Sequence, residues 1–145
     1  MDKKEFIQML RANRIIKGNR PAYIFLRKNF GNIYKGRRSD YIFSISKHQL
    51  FFQKVTLFKG LKPKSDFILN VNDFIHYKII NYNMLFNSLC LYDKEGNFIE
   101  INYETSRKDS YETEVNMNDI VKRLEEAGLT ELVYDSEEEN EESNN

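Results

Sequence analysis

The side chains able to do chemistry are few in kind and scattered along the chain. The densest group is Arg27, Lys28, Lys35, Arg37 and Arg38, with Tyr34 among them. Cations supply long-range attraction to phosphates and an aromatic ring offers a stacking surface, so these six residues form a candidate anion site. A solvated polar loop carries similar charge, and the acidic residues further along the chain offer internal partners for it. His48 and His76 lie far apart with no cysteine beside either. Asp73 and His76 are neighbours, but two scattered ligands do not make a metal site, so no metal and no cofactor is expected. Cys90 stands between Leu89 and Leu91, where a lone thiol behaves as a small hydrophobe. As a nucleophile it would need a positioned histidine, and the spacing provides none. Glycine-rich phosphate loops and serine elbows are absent. Glu100, Asn102 and Glu104 alternate with apolar residues and read as the solvated face of a strand. The expectation is a binding module, not an enzyme.

Composition narrows the class. With 145 residues, 11 Phe, 9 Tyr, two Pro and six Gly, the chain is of one-domain size and has apolar material for one core. The single cysteine excludes an internal disulfide, and a reducing cytoplasm is the simplest compartment. Apolar runs such as Tyr41-Ile42-Phe43 fall far short of the roughly 20 residues that span a bilayer. The first residues, Met1-Asp2-Lys3-Lys4-Glu5, lead into a periodic helix instead of a signal core.

A net charge of zero hides a division. Residues 1–64 hold 16 lysines and arginines against three acids, and the remaining residues hold six against 19. The two halves either neutralise each other across one fold or leave the basic half for an anionic partner. Mutual neutralisation is the simpler reading, because in a β-rich fold both halves contribute to every face.

The elements follow from periodicity. Residues 3–16 predict an amphipathic helix with Asp2 as N-cap, an apolar face of Phe6, Met9, Leu10 and Ile16, and Gly18 and Pro21 as its stop. Its cationic face, with Lys3, Lys4, Arg11, Arg14 and Lys17, suits docking on its own domain or a partner, or contact with an anionic membrane. From Ala22 the period becomes two. Strands are predicted over 22–28, 41–46, 50–58, 67–69, 74–80, 84–92 and 97–104, with a loop over 29–40 and Ile33-Tyr34 paired inside it. Residues 41–46 place Tyr41, Phe43 and Ile45 on one face and two serines on the other, and Lys47-His48 closes a hairpin to the next strand. Asp93-Lys94-Glu95-Gly96 is a type I turn ending in a glycine at positive φ. Asn116 or Asn118 caps a helix carrying Ile120, Val121, Leu124 and Ala127, and Gly128-Leu129 fits a Schellman stop. Residues 135–145 carry six acids and no apolar residue, the composition of a disordered tail.

Seven antiparallel strands flanked by terminal helices mean a mainly β, α+β fold. Two segments carry a family resemblance. Residues 41–52, Tyr-Ile-Phe-Ser-Ile-Ser-Lys-His-Gln-Leu-Phe-Phe, look like a strand turning tightly into an L-x-F strand. Residues 67–103 then run short strand, Asp73-Phe74 strand, and a long hairpin through Asp93 to Gly96. In this order the chain resembles the bacterial pleckstrin-homology-like (PH-like) families, related in shape to the GRAM domains. The resemblance covers residues 22–128 and implies a seven-stranded, partly open antiparallel barrel with a C-terminal capping helix; the N-terminal helix is additional. It also implies a protein-interaction or assembly module, since bacterial members of this shape often serve as such; closely spaced cations of the phosphoinositide-binding kind are missing from the first hairpin.

The expected organisation is therefore an N-terminal helix (1–20), a PH-like domain (21–134) and an acidic tail (135–145). The expected role is non-catalytic binding of a protein partner or a second copy. The alternative is binding of nucleic acid or acidic lipid by the basic half, with the acidic tail as competitor. Removing residues 135–145 would then tighten binding to nucleic acid or anionic vesicles at low salt, and an unchanged affinity would dispose of the competition.

Overall fold

In the computed structural model the described residues are 2–27, 38–56, 60–82, 85–105 and 108–132. Most of the predicted loop, including the Ile33-Tyr34 pair, and the whole acidic tail lie outside them.

Helix α1 (Lys3–Ala12) begins as the sequence predicts, with the Asp2 carboxylate accepting from Glu5 N–H at 2.8 Å. It ends earlier than residue 16. Arg14 takes a left-handed conformation with φ 56°, Ile15 N–H bonds the Leu10 carbonyl and Arg14 N–H that of Arg11, both at 3.0 Å. That is a Schellman stop with an arginine where glycine is usual, so composition gave no warning of it. Gly18 has another duty. Residues after the helix pass so close over the sheet that a Cβ on Gly18 would stand 2.7 Å from Ser44 Oγ.

The strands are β1 (Asn19–Leu26), β2 (Ser39–Ser46), β3 (Gln49–Val55), β4 (Phe67–Asn70), β5 (His76–Tyr82), β6 (Phe86–Tyr92), β7 (Phe98–Glu104) and β8 (Thr130–Glu131). They form one eight-stranded sheet in the order β4-β3-β2-β1-β7-β6-β5-β8. The expected count of seven and the purely antiparallel pairing both need correction, because β8 joins β5 in parallel. Two residues give no alternation to read; β8 exists because the helix stop before it delivers the chain to a free sheet edge. The ends of the sheet, β4 and β8, do not pair with each other, so the sheet is not closed. The predicted Asp93–Gly96 turn is present, with Gly96 at φ 85° and Asp93 bonded to Asn97 across it.

Helix α2 (Tyr111–Glu126) starts before Asn116, contrary to the capping expectation, and ends in the predicted Schellman geometry with Gly128 at φ 109° and Leu129 N–H bonded to Leu124. Met117, Ile120, Val121 and Leu124 pack into one core with Ile24, Phe43, Phe52, Leu89, Leu91 and Ile101 from both halves of the sheet. A second core covers the opposite face of the first strands: Phe6, Ile7 and Leu10 of α1 against Tyr23, Ile42 and Val55. The serine face of β2 is consequently not solvated, and Ser44 is fully buried. Alternation identified which residues share a face, but whether the polar face meets water depended on where α1 docks.

The middle of the sheet is its weakest seam. β1 pairs with β2 along its length but touches β7 through a single register pair, Phe25 with Asn102. Along the rest of that edge α2 supplies the hydrogen bonds. Tyr23 N–H donates to Thr113 Oγ1 at 3.0 Å, and Asn116 Nδ2 donates to the Pro21 carbonyl at 2.8 Å. Asn102 holds the seam itself: its Nδ2 donates to the Phe25 carbonyl while Ser88 Oγ donates to its Oδ1. Buried backbone groups left without partners are costly, so these side chains are what allow the strands to part and admit the helix. Thr113→Val, which keeps the shape and removes the acceptor used by Tyr23 N–H, is expected to lower stability by about 1–3 kcal/mol, with Thr113→Ser restoring part of it. Chemical denaturation reads both, and a valine variant as stable as the parent would refute this account of the seam.

Candidate functional site

Of the six predicted anion-site residues, Lys28, Tyr34, Lys35 and Arg37 lie outside the described residues. Arg27 and Arg38 flank them and converge on one ring, their guanidinium carbons 5.4 Å and 4.1 Å from the centre of Phe25. Arg38 is engaged further. Its Nε lies 2.8 Å from Asp40 Oδ1 and its Nη1 3.4 Å from Glu104 Oε1. The Tyr23 hydroxyl donates to Asp40 Oδ2 at 2.6 Å, and Lys3 Nζ meets Glu104 Oε2 at 2.6 Å while lying over the Tyr23 ring. Five charged or polar side chains thus bind α1, β1, β2 and β7 together.

The electrostatics of this network follow from burial and pairing. Burial pushes the Asp40 carboxyl up, but hydrogen bonds from Arg38 and Tyr23 and the charges of Arg38 and Lys3 outweigh it and hold the group below its ordinary value. Burial lowers Arg38, yet its bonds and charge pairing with Asp40 and Glu104 leave it raised. Tyr23 is raised, first by burial and then by its bond to Asp40. On β5, Tyr82 is pushed up to about 12 by burial and by its hydrogen bond to Glu100. Glu100 and Glu104 are therefore partnered, where alternation alone suggested a solvated face.

At the other end of β1 lies a cleft of about 440 Å³ between the β2–β3 turn and the later turns of α2. Arg20, Lys47, His48, Lys122 and Arg123 line it, together with Asp119 and Glu126. Arg20 is held by Asp119 at 3.4 Å. A smaller depression of about 200 Å³, bounded by Arg11, Arg14 and Arg20, adjoins it through Arg20. Three non-glycine residues among those described have positive φ, and all are cations in these two depressions: Arg14, Arg20 and Lys47. Each such conformation costs about 1–2 kcal/mol for a residue with a Cβ. Sequence reading missed this site because its residues are separated by whole strands; the one available signal was a cation at the first position of the Lys47-His48 turn.

A third surface lies at the start of α2. Tyr111 is 73% exposed and Val115, one turn on, 41% exposed. They share a shallow groove of about 310 Å³ with Lys4, Lys108 and Glu112. Cys90 is buried, and His76 bonds Thr130 across the β5–β8 pair at 2.7 Å. Among the described residues no three His, Cys, Asp or Glu side chains gather to hold a metal ion, and no helix is long and apolar enough to cross a membrane.

No protein-family model matches the chain, and no curated protein does either. Among solved structures it is similar to the hSac2 domain from the human phosphoinositide phosphatase Sac2, with a TM-score of 0.54 over 93% of this chain and 92% of that one. At 13% identity the likeness is one of fold.

The Asp40 network makes a pH prediction. Asp40 titrates below its unfolded value near 3.9, so its stabilisation is complete above that value and is lost as pH falls through the lower folded value. The Asp40→Asn variant is expected to be less stable at neutral pH and to show a shallower acid limb below about pH 4. Denaturation midpoints across pH 2–7 measure it, and parallel acid limbs would contradict the assignment.

Proposed function

We propose that this chain is a non-catalytic binding module of PH-like architecture that engages a protein partner through the Tyr111–Val115 face of α2. What supports the non-catalytic part is that the Tyr23, Arg38 and Asp40 side chains are committed to one another and to Glu104 in holding the strands and α1 together. Catalytic acids and bases are tuned toward neutrality. Here Tyr23, Tyr41, Tyr77, Tyr82, Tyr92 and Tyr103 are all raised, Arg38 is raised and Asp40 is lowered, each away from neutrality. The strand order β4-β3-β2-β1-β7-β6-β5 with α2 against it supports the PH-like reading. That the similar hSac2 domain belongs to a phosphatase does not carry catalysis to this chain at such low identity.

The partner surface rests on α2. An aromatic ring left largely exposed beside an aliphatic neighbour and flanked by charge suits an interface anchor, because aromatics lose little conformational entropy for the area they cover. The anion-binding alternative keeps a specific support in the Arg27–Arg38 convergence on Phe25.

A photo-crosslinking residue at position 111 of the full chain, expressed in its native cell, is expected to yield one discrete adduct that disappears with Val115→Glu. The same residue at exposed position 94 should not yield it. Sedimentation of the purified chain decides whether the adduct is a second copy. A protein that crosslinks equally from both positions, or from neither, would refute the proposed face.

A further inference from the structure

We propose that the cleft between the β2–β3 turn and the C-terminal half of α2 is a binding site for a phosphate-bearing anion. The site is separate from the Tyr111 face, which lies at the other end of the same helix, and from the Arg27–Arg38 end of β1. Four observations support it.

The first is charge. Arg20, Lys47, Lys122 and Arg123 outnumber Asp119 and Glu126 around a single opening, and His48 adds a ring nitrogen able to donate. Second, three of these four cations are available. Asp119 is occupied by Arg20, whereas the side chains of Lys47, Lys122 and Arg123 make no ion pair or hydrogen bond with a described residue. Lys122 and Arg123 sit where cations complement the helix dipole, but the last carbonyls of α2 are already capped by the N–H groups of residues 127–129, so neither side chain is consumed there. Third, at about 440 Å³ the opening is in the size range of small-ligand sites.

The fourth is backbone conformation. Lys47 opens a two-residue hairpin with φ 53°, an arrangement for which glycine is the favoured first residue. Arg20, at φ 57°, stands where the register of β1 against β2 shifts, again a usual glycine position. Both positions hold a cation directed to the same cleft. At Arg20 the pair with Asp119 offsets part of that cost, whereas at Lys47, which makes no ion pair with a described residue, folding alone would be served better by glycine, so the charge there points to a ligand. Lysine and arginine side chains converging from a hairpin, a bulge and a helix can surround the oxygens of a phosphate, with Arg123 offering paired donors. The shared chemistry is a phosphate group, carried by a soluble phosphorylated compound or by an acidic lipid headgroup.

The test uses the full chain and two probes at low salt: inorganic pyrophosphate by calorimetry, and phosphatidylcholine vesicles containing phosphatidic acid by co-sedimentation. Binding of pyrophosphate alone identifies a soluble ligand class, and binding of vesicles identifies a headgroup. In either case the Lys122→Glu/Arg123→Glu double variant is expected to weaken binding at least tenfold, and Lys94→Glu on the β6–β7 hairpin, outside the cleft lining, to leave it unchanged. Lys47→Gly separates charge from folding, because glycine suits that conformation; this variant should remain as stable as the parent and still lose affinity. Binding to neither probe, or affinity unaltered by the cleft variants, would overturn the proposal.

Discussion

β1 is shared between two half-sheets that cannot both pair with it along its length. Its β2 side is a ladder interrupted by one register shift between Asn19 and Ala22, while its β7 side closes only at Phe25 and Asn102. Parting two strands exposes backbone donors and acceptors in the interior, and that arrangement persists only when other groups satisfy them. Thr113 and Asn116 of α2 do so for residues 23 and 21, and Asn102 with Ser88 does so at the seam. The rest of the architecture follows from this. Because the half-sheets diverge, α2 can reach both and bury Met117, Ile120 and Leu124 in one core. The helix is also oriented by it, which leaves Tyr111 and Val115 outside and brings Lys122 and Arg123 to the β2–β3 turn.

The opposed charge of the two halves of the chain is resolved in the same geometry. Lys3 meets Glu104, Arg11 meets Glu112, Lys17 meets Asp66 and Arg20 meets Asp119, each joining the basic half to the acidic one. Most of these pairs are at least partly open to water, where an ion pair contributes little, so they select orientation more than they stabilise. The network around Asp40 differs because Tyr23 and Arg38 also commit hydrogen bonds to it. It secures α1 over the outer face of the sheet, turning what would be a wet face of β2 into a second core. Three cations outside this pairing, Lys47, Lys122 and Arg123, line one cleft at the β2–β3 turn, where Lys47 takes a backbone conformation that favours glycine.

The sequence by itself determined the local elements whose signals are short-ranged. Asp2 capped the first helix, Asp93 to Gly96 closed its hairpin, and Gly128 with Leu129 stopped the last helix as spacing implied. Each depends on contacts within five residues, so the information lies in one short window. The α1 stop at Arg14 shows the limit of such reading: the hydrogen bonds are equally local, but the residue type that normally announces them is absent. Asn116 failed for a different reason. Its amide suits a helix cap in isolation, yet its partner is the Pro21 carbonyl, 95 residues away. Alternation puts Ser44 on the face opposite Phe43, and only the docking of α1 and of the segment through Gly18 decides that this face is covered. The parallel β8, the engagement of Arg38, and the meeting of Arg20, Lys47 and Arg123 at one cleft were likewise decided by tertiary structure. They arise from the docking of elements distant in sequence, and docking is set by buried area and by satisfied polar groups that no local pattern encodes.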